Sequence, residues 1–107
     1  MTSDRSTFVP DLASETSVPA RGILSQTVAD RDGVQTVLFA MAATEQLSEH
    51  TAARPAIIHV LQGAGSLEVD GLVREVGPGA WLAMAARTPH AVTAASPMVF
   101  ALYLLPA

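Results

Sequence analysis

Asp70-Gly71 interrupts the stretch SLEVDGLVREV, whose arms alternate apolar and polar residues, and no other feature constrains the fold as tightly. A two-residue hairpin loop of type I′ needs positive φ at both turn positions, which Asp-Gly supplies. The alternation has the period of a half-buried strand, not of a helix. A β-hairpin is therefore predicted, and similar punctuation recurs along the chain. Arg31-Asp32-Gly33 separates GILSQTVAD from VQTVLFAMAAT, and Gly77-Pro78-Gly79 precedes AWLAMA. Pro89 and Pro97 bracket HAVTAAS, and MVFALYLL reads as a buried strand. Short strands at regular spacing predict an all-β domain, either a sandwich or a barrel. One segment competes, because TVLFAMAATEQLSEHTAA is rich in the helix formers Ala, Leu, Met and Glu. Strand is the preferred reading there.

A chain of 107 residues fits one domain. With half its residues hydrophobic and 15% charged, it has the composition of a packed core and not of a disordered chain. Residues 1–20 are polar and contain Pro10 and Pro19; they are expected to form a flexible N-terminal arm anchored through Phe8 and Val9. Residues 21–107 are expected to form the barrel domain. The net charge of −4 and the absence of a basic run argue against nucleic acid and anionic membranes as partners. The apolar runs are far shorter than the roughly 18 residues that span a bilayer. The N-terminus lacks the basic start and apolar stretch of a secretory signal, so a soluble, cytoplasmic protein is expected.

Two missing residue types narrow the chemistry. No cysteine is present, which removes disulfides, thiolate nucleophiles and Cys-based zinc or iron–sulfur sites. All six basic residues are arginine, which removes Schiff-base catalysis and a P-loop lysine. Histidine, carboxylates, hydroxyls or a bound metal remain.

AIIHVLQGAGSLEVDG and GPGAWLAMAARTPHAV resemble the two motifs of the cupin family, G-x5-H-x-H-x3–4-E-x6-G and G-x5-P-x-G-x2-H-x3-N. His50, Gly63, Gly79 and His90 fall in register with both motifs, over a resemblance that runs from about Gly22 to Leu105. The resemblance implies a single-domain jelly-roll barrel, the double-stranded β-helix. It also implies a metal held inside the barrel by two histidines and a glutamate of the first motif and the histidine of the second. The chain departs from that set. Ala52 stands for the second histidine and Ala56 for the glutamate, while Thr44 takes the place of the leading glycine. Ala85, Arg87 and Ala94 take the places of the second motif's proline, glycine and asparagine.

His50 and His90 are thus the candidate metal ligands. Two imidazoles from different strands can hold Zn, Cu, Ni, Fe or Mn when water or substrate completes the shell; the competing reading is a polar pair at the barrel mouth. His59 alternates onto the face opposite Ala56, Ile58 and Val60, so an outer-face or interface role is expected for it. Glu49 has the wrong parity to join His50, whereas Glu45 and Gln46 reach the rim only if their loop folds over it. Arg54 and Arg87 are candidate grips for a substrate carboxylate. Ser25, Ser48 and Ser66 lack a nucleophile-elbow context.

Three functions follow. The first is a reduced two-histidine metal site that binds a small molecule and carries out metal-dependent chemistry on it. The second is a metal-free, non-catalytic cupin that binds or senses a small molecule. The third is a structural homodimeric module joined through the outer face around Ile57 and His59.

Overall fold

The computed structural model describes residues 5–107. Among them nine strands follow in chain order: β1 (Ile23–Arg31), β2 (Val34–Met41), β3 (Gln46–His50), β4 (Ala56–Gln62), β5 (Gly65–Val69), β6 (Leu72–Val76), β7 (Trp81–Met84), β8 (His90–Ala94) and β9 (Met98–Leu104). They form a five-stranded sheet in the order β1-β2-β9-β4-β7 and a four-stranded sheet in the order β3-β8-β5-β6. Every strand pair is antiparallel. The inner faces of the two sheets enclose the core of a jelly-roll barrel.

The turns behave as their residues dictate. Asp70 and Gly71 have φ of 51° and 79°, and Asp32 and Gly33 have 54° and 83°. Both pairs therefore have the positive φ at each position that a type I′ loop requires. The helix-favouring stretch resolves as β2, a turn and β3. It reads as continuously apolar because β2 lies inside its sheet and is covered on both faces. Phe39 and Met41 point inward, and Leu38 and Ala40 on the opposite face are fully buried as well.

Met41, Ile58, Val60, Leu67, Val92, Met98 and Phe100 form the centre of the core. Phe39 and Phe100 are cross-strand partners and stack with ring centroids 4.9 Å apart. The alternating burial of β4 sends Ala56, Ile58 and Val60 inward and leaves Ile57, His59 and Leu61 on the outer face, as the parity argument expects. A register shift does occur in β4, but between Val60 and Gln62, beyond His59.

The described part of the N-terminal arm lies on the outer face of the five-stranded sheet, while residues 1–4 of that segment lie outside the described residues. It makes a 3₁₀ turn at Leu12–Glu15. Gln26 Nε2 donates to the Glu15 carbonyl at 2.8 Å, and Arg31 Nε donates to Thr7 Oγ1 at 3.0 Å. Val9 is half-buried, whereas Phe8 is 62% exposed. No helix among the described residues is long and apolar enough to cross a membrane.

Candidate metal centre: the histidine pair of β3 and β8

His50 and His90 are directly opposed across β3 and β8. A bulge makes this possible. Leu47 pairs with Val92 and His50 with His90, so two residues of β3, Ser48 and Glu49, span the single Ala91 of β8. In regular alternation Leu47 and His50 would point to opposite faces. The extra residue turns His50 inward beside Leu47 and leaves Glu49 exposed, as bulges beside functional sites commonly re-aim a side chain.

The two rings lie 4.2 Å apart between centroids and are tilted by 59°. Each Nδ1 sits 2.8 Å from a backbone carbonyl two residues earlier, Ser48 O for His50 and Thr88 O for His90. A carbonyl oxygen only accepts, so each Nδ1 carries a proton and donates it. In the neutral ring this leaves the lone pair on Nε2. That tautomer, with Nδ1–H fixed by a carbonyl, is the one metal-bound histidines use. No buried side-chain nitrogen or oxygen lacks a partner among the described residues. The Nε2 atoms have no hydrogen-bond partner among the described residues.

His90 is 3% exposed, and burial holds its pKa below the ordinary imidazole value. The bond to the Thr88 carbonyl opposes this shift, and the neighbouring His50 adds to it. Phe39, Leu47, Ile58, Val92, Phe100 and Leu102 surround the pair, and the free space among them is about 10 Å³. That is room for about one water molecule, and a bare divalent cation is no larger. The walls are otherwise hydrocarbon.

The remaining candidates divide clearly. Ala56 faces the interior at 2% exposure, so a methyl occupies the place where the family's carboxylate would point. Ala52 is half-buried in the following loop, and its carbonyl accepts the Arg87 N–H at 2.7 Å. Among the described residues no group of three or more His, Cys, Asp or Glu side chains could hold a metal ion. Glu45 does not reach the pair with a free carboxylate, because its Oε2 accepts the Gly22 N–H at 3.0 Å. Arg54 is a structural tether. Its Nε donates to Leu105 O at 2.8 Å, and its Nη2 donates to the Gly33 and Leu104 carbonyls. His59 sits on the outer face, 3.1 Å from the Tyr103 hydroxyl.

Thr44 and Arg87, which stand in two glycine slots of the family motifs, both keep left-handed backbones, with φ of 71° and 63°. The motif geometry thus outlives the glycines. Tyr103 was not singled out by sequence, since nothing in MVFALYLL marks one residue as more than a strand aromatic.

These features define a small antiparallel jelly-roll barrel with an imidazole pair inside it. The model of the cupin domain matches residues 37–105, and the chain belongs to the cupin family. A cupin superfamily protein from Desulfitobacterium hafniense has 26% identity and a TM-score of 0.82, over 90% of this chain and 88% of that one. KdgF from Halomonas sp. is also 26% identical, with a TM-score of 0.72 over 80% and 81% of the two chains. An RmlC-like cupin from Desulfovibrio desulfuricans has 25% identity and a TM-score of 0.73 over 99% and 97%. No curated protein matches the chain.

Proposed function

We propose that this cupin holds a divalent transition metal on His50 and His90 and binds a small molecule at the mouth of the barrel, acting as a cytoplasmic homodimer. Residues 21–107 form the barrel domain in this reading, and the preceding residues its arm. The observation that carries it is the matched tautomer of the two rings, each with Nδ1–H committed to a carbonyl and Nε2 left as the donor atom.

Spacing supports the same reading. With metal–nitrogen bonds of about 2.0–2.1 Å, two imidazoles on one ion bring their centroids to roughly 4.5 Å at a right angle and roughly 5.2 Å at a tetrahedral angle. The observed 4.2 Å is nearer the first, so both Nε2 atoms would be within reach of one ion. A bound ion would polarise an oxygen of the ligand. The chain's own share is to fix both rings, exclude bulk water with Phe39, Phe100 and Leu102, and restrict ligands to those that reach the ion from the mouth. Two protein donors make a weaker site than three or four, so exchangeable metal is expected.

The test is metal titration of the full chain after chelation, for Zn, Cu, Ni, Fe and Mn, beside His50→Ala, His90→Ala and the double variant. One ion per chain is expected, with its affinity lowered by each substitution and abolished by both. Binding that survives both substitutions refutes the site.

A second reading is favoured by Ala52 and Ala56 in the two missing ligand slots: a metal-free module that binds or senses a small molecule. Absence of metal binding together with saturable ligand binding would establish it. The dimer reading draws on the outer face, where His59 pairs with Trp81 and Trp81 is 62% exposed. A solution mass of one chain refutes it.

A further inference from the structure

We infer that β7 is an interface strand, whose open edge pairs antiparallel with β7 of a second copy of this chain and joins the two five-stranded sheets into one. The inference rests on the homodimer reading above and gives that dimer its surface and register; it does not depend on the histidine pair. β7 ends its sheet and pairs only with β4. Among the described residues no strand lies on its other side, and the backbone groups of such an edge can pair with another extended chain.

Folded proteins usually blunt their edges with charges, bulges or a covering segment, and the other three edges here are so treated. β1 carries Asp30 and Arg31 and is bonded to the arm through Gln26 and Glu15. β3 contains a bulge and Glu49, and β6 contains Arg74 and Glu75. β7 reads WLAM, with neither charge nor proline, and its Trp81 is 62% exposed. Because the chain has a net charge of −4, two copies meet with least repulsion along a strand that presents no carboxylate.

Hydrogen-bond phase selects the register. Val60 N–H donates to Ala80 O at 2.8 Å, and Leu105 N–H donates to Pro55 O at 2.9 Å. Backbone groups alternate sides along a strand, so Ile58 and Val60 face β7, while Ile57 and His59 face β9. Across the β4–β7 pairing, Leu82 and Met84 then face β4, and Trp81 and Ala83 direct their N–H and C=O groups to the free edge. A two-fold axis at Leu82 sets Trp81 against the partner's Ala83, and each such pair exchanges both N–H···O bonds. An axis at Ala83 or at Trp81 would instead need Ala85 or Gly79, beyond the ends of the strand, and the Gly79 N–H already donates to Val60 O.

Side-chain sizes agree with that register. Residues paired in an antiparallel ladder share a face. Trp81 and Ala83 lie on the outer face with Ile57 and His59, whereas Leu82 and Met84 lie on the inner face with Ile58 and Ala56. Each indole thus falls beside the methyl of the partner's Ala83, and Met84 falls beside the partner's Ala80, so a large group meets a small one at both positions. An exposed tryptophan at the centre of an interface is the residue type that most often dominates its energy. The arm is bonded to β1, at the opposite end of the sheet, and leaves this edge open.

The test uses the full chain, which contains no cysteine. In the proposed register the two Leu82 residues form a pair without mutual hydrogen bonds, their Cα atoms about 4.5 Å apart, within the roughly 4.4–6.8 Å that a disulfide spans. Leu82→Cys should therefore yield a disulfide-linked dimer on mild oxidation, and Val73→Cys on β6 should not. Sedimentation equilibrium should show the natural chain dimerising, with the dissociation constant raised about tenfold or more by Trp81→Ser and by Ala83→Pro. Proline is tolerated on an edge strand where its N–H faced outward, so the second variant should keep the natural far-ultraviolet spectrum. If one variant fails to fold, the other and the cross-link decide. A natural chain that stays monomeric into the millimolar range overturns this inference and the homodimer reading together. A dimer unmoved by Trp81→Ser and Ala83→Pro, or equal cross-linking through Leu82→Cys and Val73→Cys, overturns the β7 interface and leaves the homodimer reading standing.

Discussion

Thr44→Gly should raise the melting temperature, although glycine usually weakens a fold. Thr44 has φ of 71°, a conformation in which its Cβ crowds the following carbonyl. A non-glycine residue in the left-handed region costs roughly 1–2 kcal/mol, and a β-branched one lies at the unfavourable end. Glycine removes that crowding but loses more freedom on folding, a penalty of about 0.5–1 kcal/mol. The side chain is exposed, so little packing is lost. The Thr44 N–H bond to Ala94 O, 2.9 Å long, uses only backbone atoms and survives the change. The difference is about 0.5–1 kcal/mol in favour of the variant, or about 2–8 °C for a domain of this size. Thermal and urea unfolding followed by far-ultraviolet circular dichroism measure it. Thr44→Ala, which keeps a Cβ, is the control and should recover much less. A melting temperature that is unchanged or lowered in Thr44→Gly, at an unchanged urea m value, refutes the argument. Arg87→Gly, at φ of 63°, should behave alike.

Gly63→Ala should cost about 3 kcal/mol or more, because the added Cβ would lie 2.0 Å from Pro97 O and 2.8 Å from Met98 Cα at a φ of 79°. Gly71→Ala, at the same φ with nothing within 4 Å, should cost only about 1–2 kcal/mol; equal urea midpoints for the two would refute the steric account. Stability should also respond to pH through His90. Its folded pKa lies below the ordinary 6.5, so the unfolded chain takes the proton first. Its contribution is fully present above pH 6.5, is lost progressively as pH falls from there toward the folded value, and then levels off. Urea midpoints across that window should fall in the natural chain and stay flatter in His90→Gln; identical slopes refute it. Phe100→Ala, removing a ring 1% exposed, should cost about 3–5 kcal/mol and open space beside the histidines, read as uptake of a small apolar probe.

What could be read in advance was local or periodic. Asp70-Gly71 announced its turn because φ at both positions is a property of those residue types. Ala56 and His59 could be assigned to opposite faces because strand parity is arithmetic. Bulges escape such reading. Nothing in QLSEH says that an extra residue will turn His50 inward beside Leu47, since the shift arises from pairing with β8. The register of β1 against β2 also shifts, between Thr27 and Ala29, which puts Arg31 in place of Asp30 on the outer face, and it was silent for the same reason. Arg54 was misplaced as a ligand grip because its acceptors, the carbonyls of Gly33, Leu104 and Leu105, come from segments that only tertiary structure brings together. The tautomers of His50 and His90 depend on carbonyls that any residue at positions 48 and 88 would supply.

The position of β9 has a consequence for biogenesis. It is the last strand in chain order, yet it fills the middle of its sheet, between β2 and β4. Until it arrives, those two strands have no neighbour on that side, and their bare amides and carbonyls are open to any other extended chain. The barrel therefore closes only after β9 has been made, through contacts between distant segments, which makes for slow folding. A nascent or C-terminally clipped chain would present a vacant slot the width of one strand.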